Sequence, residues 1–212
     1  MRRSLVLLVS TLVALATALT TAVFSANASL PHTQKIVVRP VHANGTPAAG
    51  FSVTNQNIPG GLSCGGTSPS AVDDNIIYCS PSAAYTVSCW KSRNHTVLCL
   101  RDPLKKKLVR IHYSGSIAPT QAPSRPSPQA LTLFSGNYCL IRDGGAWGMV
   151  KGHPLWNGNY SCVHNAIYGR GDGINRTVNP WTVHVVNNVN NNTPNAIVVR
   201  HVRTAYYVGN AA

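Results

Sequence analysis

Not one glutamate occurs among the 212 residues, and the acids are five aspartates: Asp73, Asp74, Asp102, Asp143 and Asp172. That shortage excludes much chemistry. HExxH zinc hydrolysis requires a glutamate. The paired carboxylates of a glycoside hydrolase must flank one bond, and the adjacent pair Asp73-Asp74 reads instead as a loop or a helix-start cap. No G-x-S-x-G elbow is present to raise a serine nucleophile. No C-x-x-C pair is present, and the cysteine spacings are too wide for a zinc knuckle, so neither metal nor cofactor is expected. Beyond residue 28 no apolar run is long enough to cross a bilayer. No window of 11 or more residues there shows capped helical periodicity.

What the chain has in excess is positive charge, with 18 Lys and Arg giving a formal net charge of +13. Arg2 and Arg3, the apolar run 5–24 and Ser25-Ala26-Asn27-Ala28 follow the order of a secretory signal: charge, apolar stretch, small residues at −3 and −1. We expect residues 1–28 to be a signal peptide, cut between Ala28 and Ser29. The rival, an uncleaved anchor, is weakened by Ser10, Thr11, Thr17, Thr20 and Thr21 within the apolar run. Cleavage leaves 16 basic residues against five acidic ones, a net charge of +11. A surface so one-sided attracts polyanions over a Debye length of about 10 Å. The expected partner is an anionic envelope polymer or lipid headgroup, with nucleic acid a lesser candidate. The plainer reading is that the charge serves solubility alone.

All six cysteines, Cys64, Cys79, Cys89, Cys99, Cys139 and Cys162, lie in the exported part. An even count in an exported chain argues for disulfides, because the destination is oxidising. Many pairings are open to six cysteines; we favour the local set Cys64–Cys79, Cys89–Cys99 and Cys139–Cys162. Each short loop so closed stabilises the fold by about 2–4 kcal/mol.

Runs of β-branched and aromatic residues at 35–41, 85–89, 96–100, 108–113, 131–134, 138–141, 181–186 and 196–208 have strand length. Trp181-Thr182-Val183-His184-Val185 alternates as a half-buried strand does. Residues 85–100 read as one hairpin around Lys91-Ser92-Arg93-Asn94-His95, which sets Cys89 opposite Cys99; Asn94 tolerates the left-handed backbone a turn needs. The fold class expected is mainly β, in small disulfide-stapled lobes of sheet or sandwich type with few and short helices. Pro119, Pro123, Pro126 and Pro128 mark 114–130 as an extended linker. It separates an N-terminal β lobe, 29–113, with four cysteines from a C-terminal β lobe, 131–212, with two. The Asn-rich stretch 187–195 reads as a surface loop.

Several short motifs carry a resemblance. They are Ser68-Pro69-Ser70-Ala71-Val72, Tyr78-Cys79, Cys89-Trp90, Leu98-Cys99-Leu100-Arg101-Asp102-Pro103, Asp143-Gly144-Gly145-Ala146-Trp147-Gly148 and Trp181-Thr182-Val183. Together they resemble a group of exported actinobacterial proteins of mycobacterial type, over most of the exported chain. The resemblance implies location and cysteine usage, and it supplies no catalytic residue.

The densest basic cluster is Lys105-Lys106-Lys107 with Arg110, placed at the surface by the turn Asp102-Pro103. It is suited to gripping acidic groups, or to shielding a strand edge. Trp147, on a glycine-rich loop, is the expected exposed aromatic for ligand contact. These residues frame the function expected first: a secreted, non-enzymatic, envelope-associated interaction protein of oligomeric state left open. A secreted hydrolase such as a ribonuclease, using two of the eight histidines as acid and base, is an alternative. A third is an inhibitor or host-receptor ligand presenting the 91–95 tip or Arg170-Gly171-Asp172.

Overall fold

The computed structural model describes residues 30–80, 88–142, 147–187 and 196–212. The expected signal peptide and its expected Ala28–Ser29 cut, Asp143 and most of the Asn-rich stretch lie outside the described residues. Among the described residues there is no helix; the chain is all β. Its first half forms β1 (Gln34–His42), β2 (Ser52–Asn55), β3 (Leu62–Thr67), β4 (Ile76–Ser80), β5 (Ser88–Lys91), β6 (Thr96–Leu100) and β7 (Lys107–Ser114). Its second half forms β8 (Ala130–Leu133), β9 (Tyr138–Ile141), β10 (Asn157–Cys162), β11 (Ala166–Gly169), β12 (Ile174–Asn175), β13 (Thr182–Val186) and β14 (Ile197–Ala211).

Backbone pairing closes two rings, each completed by one strand bonded along both edges. β7 pairs antiparallel with β6 on one edge; on the other it runs parallel to β2 and then, at Tyr113 and Ser114, to β3. Since β3, β4, β5 and β6 follow one another antiparallel, the sheet returns to β7. β14 acts in the same way for the second ring: Ile197 to His201 pair with β13, and Val202 to Tyr206 pair with β8. The path β8-β9-β10-β11-β13 is antiparallel throughout. Closure removes the open edges of the ring strands; β1, β2 and β12 are each added along one edge of a ring strand.

Period-two alternation fills the rings. In β13, Val183 and Val185 are buried while Thr182 and His184 are half exposed. The first ring packs Leu62, Ile77, Val97, Ile111 and Tyr113 around four cysteines. The second packs Leu131, Leu133, Tyr160, Ile167, Val183 and Val202 around Cys139 and Cys162. Cys64–Cys79, Cys89–Cys99 and Cys139–Cys162 are bonded, each pair standing directly opposite across two adjacent strands. Cys79, Cys89, Cys99 and Cys139 are buried in the ring cores, and Cys64 and Cys162 are partly buried beside them.

Two expectations about organisation need adjustment. β1 does not join the ring built from the residues that follow it; it runs parallel to β14, from Gln34 opposite Thr204 to His42 opposite Ala211. A strand's composition reports that it is a strand, and says nothing of its neighbour. The segment 114–130 is extended, as its prolines demand, but it is held closely. Asn75 N donates to Thr120 O, Ala122 N to Asp74 Oδ1, and Ser127 N to Pro69 O. The rings also share a core: Val41 and Val208 pack with Ala71, Ile76, Trp90, Leu98, Leu100 and Leu108. At the same seam the buried Gln129 accepts from Ser88 Oγ and donates to Leu100 O, while its own N–H donates to Tyr206 O. A buried amide with its bonds satisfied fixes the register of what it joins.

Removing one staple measures what ring closure alone can hold. The double substitution Cys89→Ala, Cys99→Ala should lower the unfolding free energy by about 2–4 kcal/mol, read from the denaturant midpoint. An unchanged midpoint would show that the hydrogen-bonded ring needs no cross-link there.

Candidate functional site

Each of the four described aspartate carboxylates is bonded within the protein. Asp73 Oδ2 accepts from Arg39 Nη1 at 2.6 Å and from Asn210 N at 2.8 Å. Asp74 Oδ1 accepts from Ala122 N. Asp102, 8% exposed, accepts from Leu104 N and from the Tyr138 hydroxyl at 2.6 Å, with Lys105 Nζ at 3.5 Å. Burial first, and then this bond to a carboxylate, push the Tyr138 hydroxyl far above its ordinary pKa. Asp172 is clasped on both oxygens by Arg176 and also accepts from Ser127 Oγ. Its side chain therefore points into the fold, and Arg170-Gly171-Asp172 does not present a free acid to a receptor. No two of these carboxylates share a bonding partner.

Several basic side chains meet in a groove of about 870 Å³ on the first ring. Along β7, Val109, Ile111 and Tyr113 pack into the ring; strand alternation turns Arg110 and His112 the other way, where they line the groove beside Thr96 of β6. The β5–β6 hairpin contributes Ser92, Arg93 and Asn94, the segment after β2 contributes Gln56 and Asn57, and the turn after β1 contributes Gly45 to Pro47. Asn94 and His95 both take the left-handed backbone, at φ 55° each. Thr96 Oγ1 donates to Arg93 O, and Ser92 Oγ donates to Gly45 O, so the hairpin tip is tied to the opposite turn. Gly45 is needed at that approach: a Cβ there would stand 2.3 Å from Lys91 O. Arg110 Nε is buried with no hydrogen-bond partner. No acidic residue and no Phe, Tyr or Trp lines the groove.

The expected site residues separate. Lys105 and Lys106 on the turn before β7, and Lys107 at its start, are exposed and do not line the groove; of that cluster Arg110 alone does. The lysines shield no open edge, because β7 is flanked by β6 on one side and by β2 and β3 on the other. Trp147 is half-buried, in place of the exposed ligand platform expected of its loop. It rests on β10, where a Cβ at Gly158 would lie 2.1 Å from the indole, meets Tyr168 edge-on at 5.7 Å, and carries the Arg142 guanidinium at 4.8 Å. With Val150 and Trp156 it covers Ala166, Tyr168 and Val186 on the outer face of the second ring.

A smaller cleft opens beside that cover, lined by Trp156, Arg170, Asn175 and His184 among others. His153 stacks on Trp156 at 3.8 Å, and His184 meets the same indole at 4.6 Å. This pair offers the hydrolase alternative an acid and a base, yet among the described residues no carboxylate is bonded to either ring to orient it. The sequence hints at the cluster, since His153-Pro154-Leu155-Trp156 stands in a turn, but His184 is brought in by β13 and is invisible locally. Among the described residues no cluster of three metal-binding side chains occurs. Comparison with family models, with curated proteins and with solved structures found no match.

Burial, and then the charge of His153, lower the pKa of His184 from 6.5. The unfolded chain then takes up more protons on acidification than the folded one. The stability linked to His184 is complete above its unfolded pKa and is lost as pH falls through the folded value. The melting temperature should accordingly drop more between neutral and mildly acid pH in the parent protein than in His184→Gln. Parallel pH curves for the two would contradict this.

Proposed function

We propose that this is an exported, non-enzymatic interaction protein that binds an acidic polymer at or outside the cell envelope through the groove on its first ring. The observation that carries the reading is the lining: Arg93, Arg110 and His112 with side-chain amides and hydroxyls, and no carboxylate to compete for the ligand. Arginine binds carboxylate, sulfate and phosphate groups through paired N–H donors. The amides of Asn55, Gln56, Asn57 and Asn94 supply donors and acceptors suited to hydroxyls between the charges. Single-stranded nucleic acid is favoured less, since its binding sites offer successive aromatic platforms for the bases and this groove offers no Phe, Tyr or Trp. Export is supported by the leader-like first 28 residues and by three bridges of the kind that persists in oxidising compartments. The likeness to exported actinobacterial proteins agrees with that location.

Titration with heparin and with polyglutamate tests the reading. Affinity should fall steeply as salt rises from about 0.05 to about 0.2 M. Arg93→Ala with Arg110→Ala should weaken binding about tenfold or more, because hydrogen bonds to charged groups contribute about 1.5–3 kcal/mol each. Replacing Lys105, Lys106 and Lys107 by alanine removes more charge but none of the groove, and should weaken it less. A larger loss from the lysine variant would mean diffuse attraction, and would remove the groove from the account.

A further inference from the structure

We infer a second binding site, on the other ring, for a single sugar ring that carries an anionic substituent. It lies in the cleft of about 220 Å³ bounded by Trp156, Arg170, Asn175, Ile174 and His184. That volume is below the roughly 300 Å³ at which drug-sized pockets begin, so it admits one small ring and not a chain. Its location on β11, β12 and β13 separates it in sequence from every residue of the groove.

The donors in this cleft lack acceptors. Arg170 is exposed, and its guanidinium makes no ion pair or hydrogen bond among the described residues. It is left unpaired because the one nearby acid in sequence, Asp172, is taken by Arg176. Asn175 Oδ1 is engaged by Thr177 N and Thr177 Oγ1. That fixes the amide's orientation and leaves its Nδ2–H group to donate elsewhere. His184 adds a ring nitrogen. Against these stand the apolar Ile174 and the indole of Trp156, positioned by the stacked His153. Two glycines pack against the protein itself at the floor of the cleft, where neither position has room for a side chain. A Cβ at Gly169 would come within 2.7 Å of Gly173 Cα, and one at Gly173 within 2.9 Å of Asn159 Nδ2.

Guanidinium, amide N–H and an apolar wall in so small a space select a ligand with one charged group and one compact, partly apolar ring. A pyranose bearing a carboxylate or a phosphate has that chemistry. Arg170 takes the anion through two N–H bonds, Asn175 Nδ2 donates to a ring hydroxyl, and the C–H face of the sugar meets Trp156 and Ile174. The inference does not require the groove: either site can be correct without the other.

Titration of the full exported chain with glucuronic acid, glucose 6-phosphate and glucose, followed through the indole N–H resonances by NMR, tests it. Glucuronic acid, glucose 6-phosphate or both should shift the Trp156 signal saturably, and which of them does so identifies the anion. Glucose should not. Arg170→Ala should weaken the effect at least tenfold. Asn175→Asp keeps the acceptor for Thr177 and replaces the donor by a repelling charge, and should weaken it as much. Arg93→Ala with Arg110→Ala should leave it unchanged. Equal shifts with glucose, no saturation, or an unaffected Arg170→Ala variant would overturn the assignment; loss of the signal in the groove variant would place the ligand in the groove instead.

Discussion

The fold depends on where a few carboxylates are placed. Each of the four described aspartates bonds across a junction between segments distant in sequence. Asp73 holds β1 and β14 to the turn before β4, through Arg39 and the Asn210 N–H. Asp74 holds the proline-rich strap at Ala122. Asp102, at the end of the first ring, meets Tyr138 of the second. Asp172 joins Ser127 of the strap to Arg176. The disulfides tie neighbouring strands within a ring; the carboxylates tie one ring, and the strap, to the rest. The carboxylate links add to the apolar core that the rings share at Val41, Trp90, Leu108 and Val208.

The same placement determines the electrostatics. With the four described aspartates each bonded to another part of the chain, the side-chain charge left unpaired among the described residues is cationic, and it needs no cluster of unusual residues to become attractive to polyanions. Loops carried on a rigid scaffold are the usual place for binding groups. Here the hairpin tip bearing Arg93 is bound to the turn at Gly45, while Arg110 stands on a strand paired along both edges. The groove is therefore preorganised, which limits the entropy lost when a ligand enters.

Strands with β-branched alternation were readable: β6, β7, β13 and β14 fall where the sequence puts them, and Asn94 takes the left-handed backbone its hairpin needs. β3, Leu62-Ser63-Cys64-Gly65-Gly66-Thr67, and β10, Asn157-Gly158-Asn159-Tyr160-Ser161-Cys162, were not. Glycine and asparagine give them the composition of loops, and only ring closure and a cross-strand disulfide make them strands. Gly158 is there because Trp147 lies on it, a reason that exists only in three dimensions. The parallel pairing of β1 with β14 spans nearly the whole chain and leaves no local mark. Of the groove, Arg110 and the 91–95 tip stood out as basic or turn-forming. Asn55 to Asn57 and Thr46 did not, since polar residues beside short strands look alike whether or not they face a ligand. Trp156 was hidden for the opposite reason: in a small β protein a tryptophan reads as core.

The most direct test of this account is the thermal stability of Asp102→Asn, measured alongside its heparin affinity. Asparagine keeps the shape and one acceptor but removes the charge that holds the Tyr138 hydroxyl. A lower melting temperature with heparin affinity kept or slightly raised is the result expected of an acid that joins two rings. An unchanged melting temperature with heparin binding lost would contradict it, and would make Asp102 part of the binding machinery.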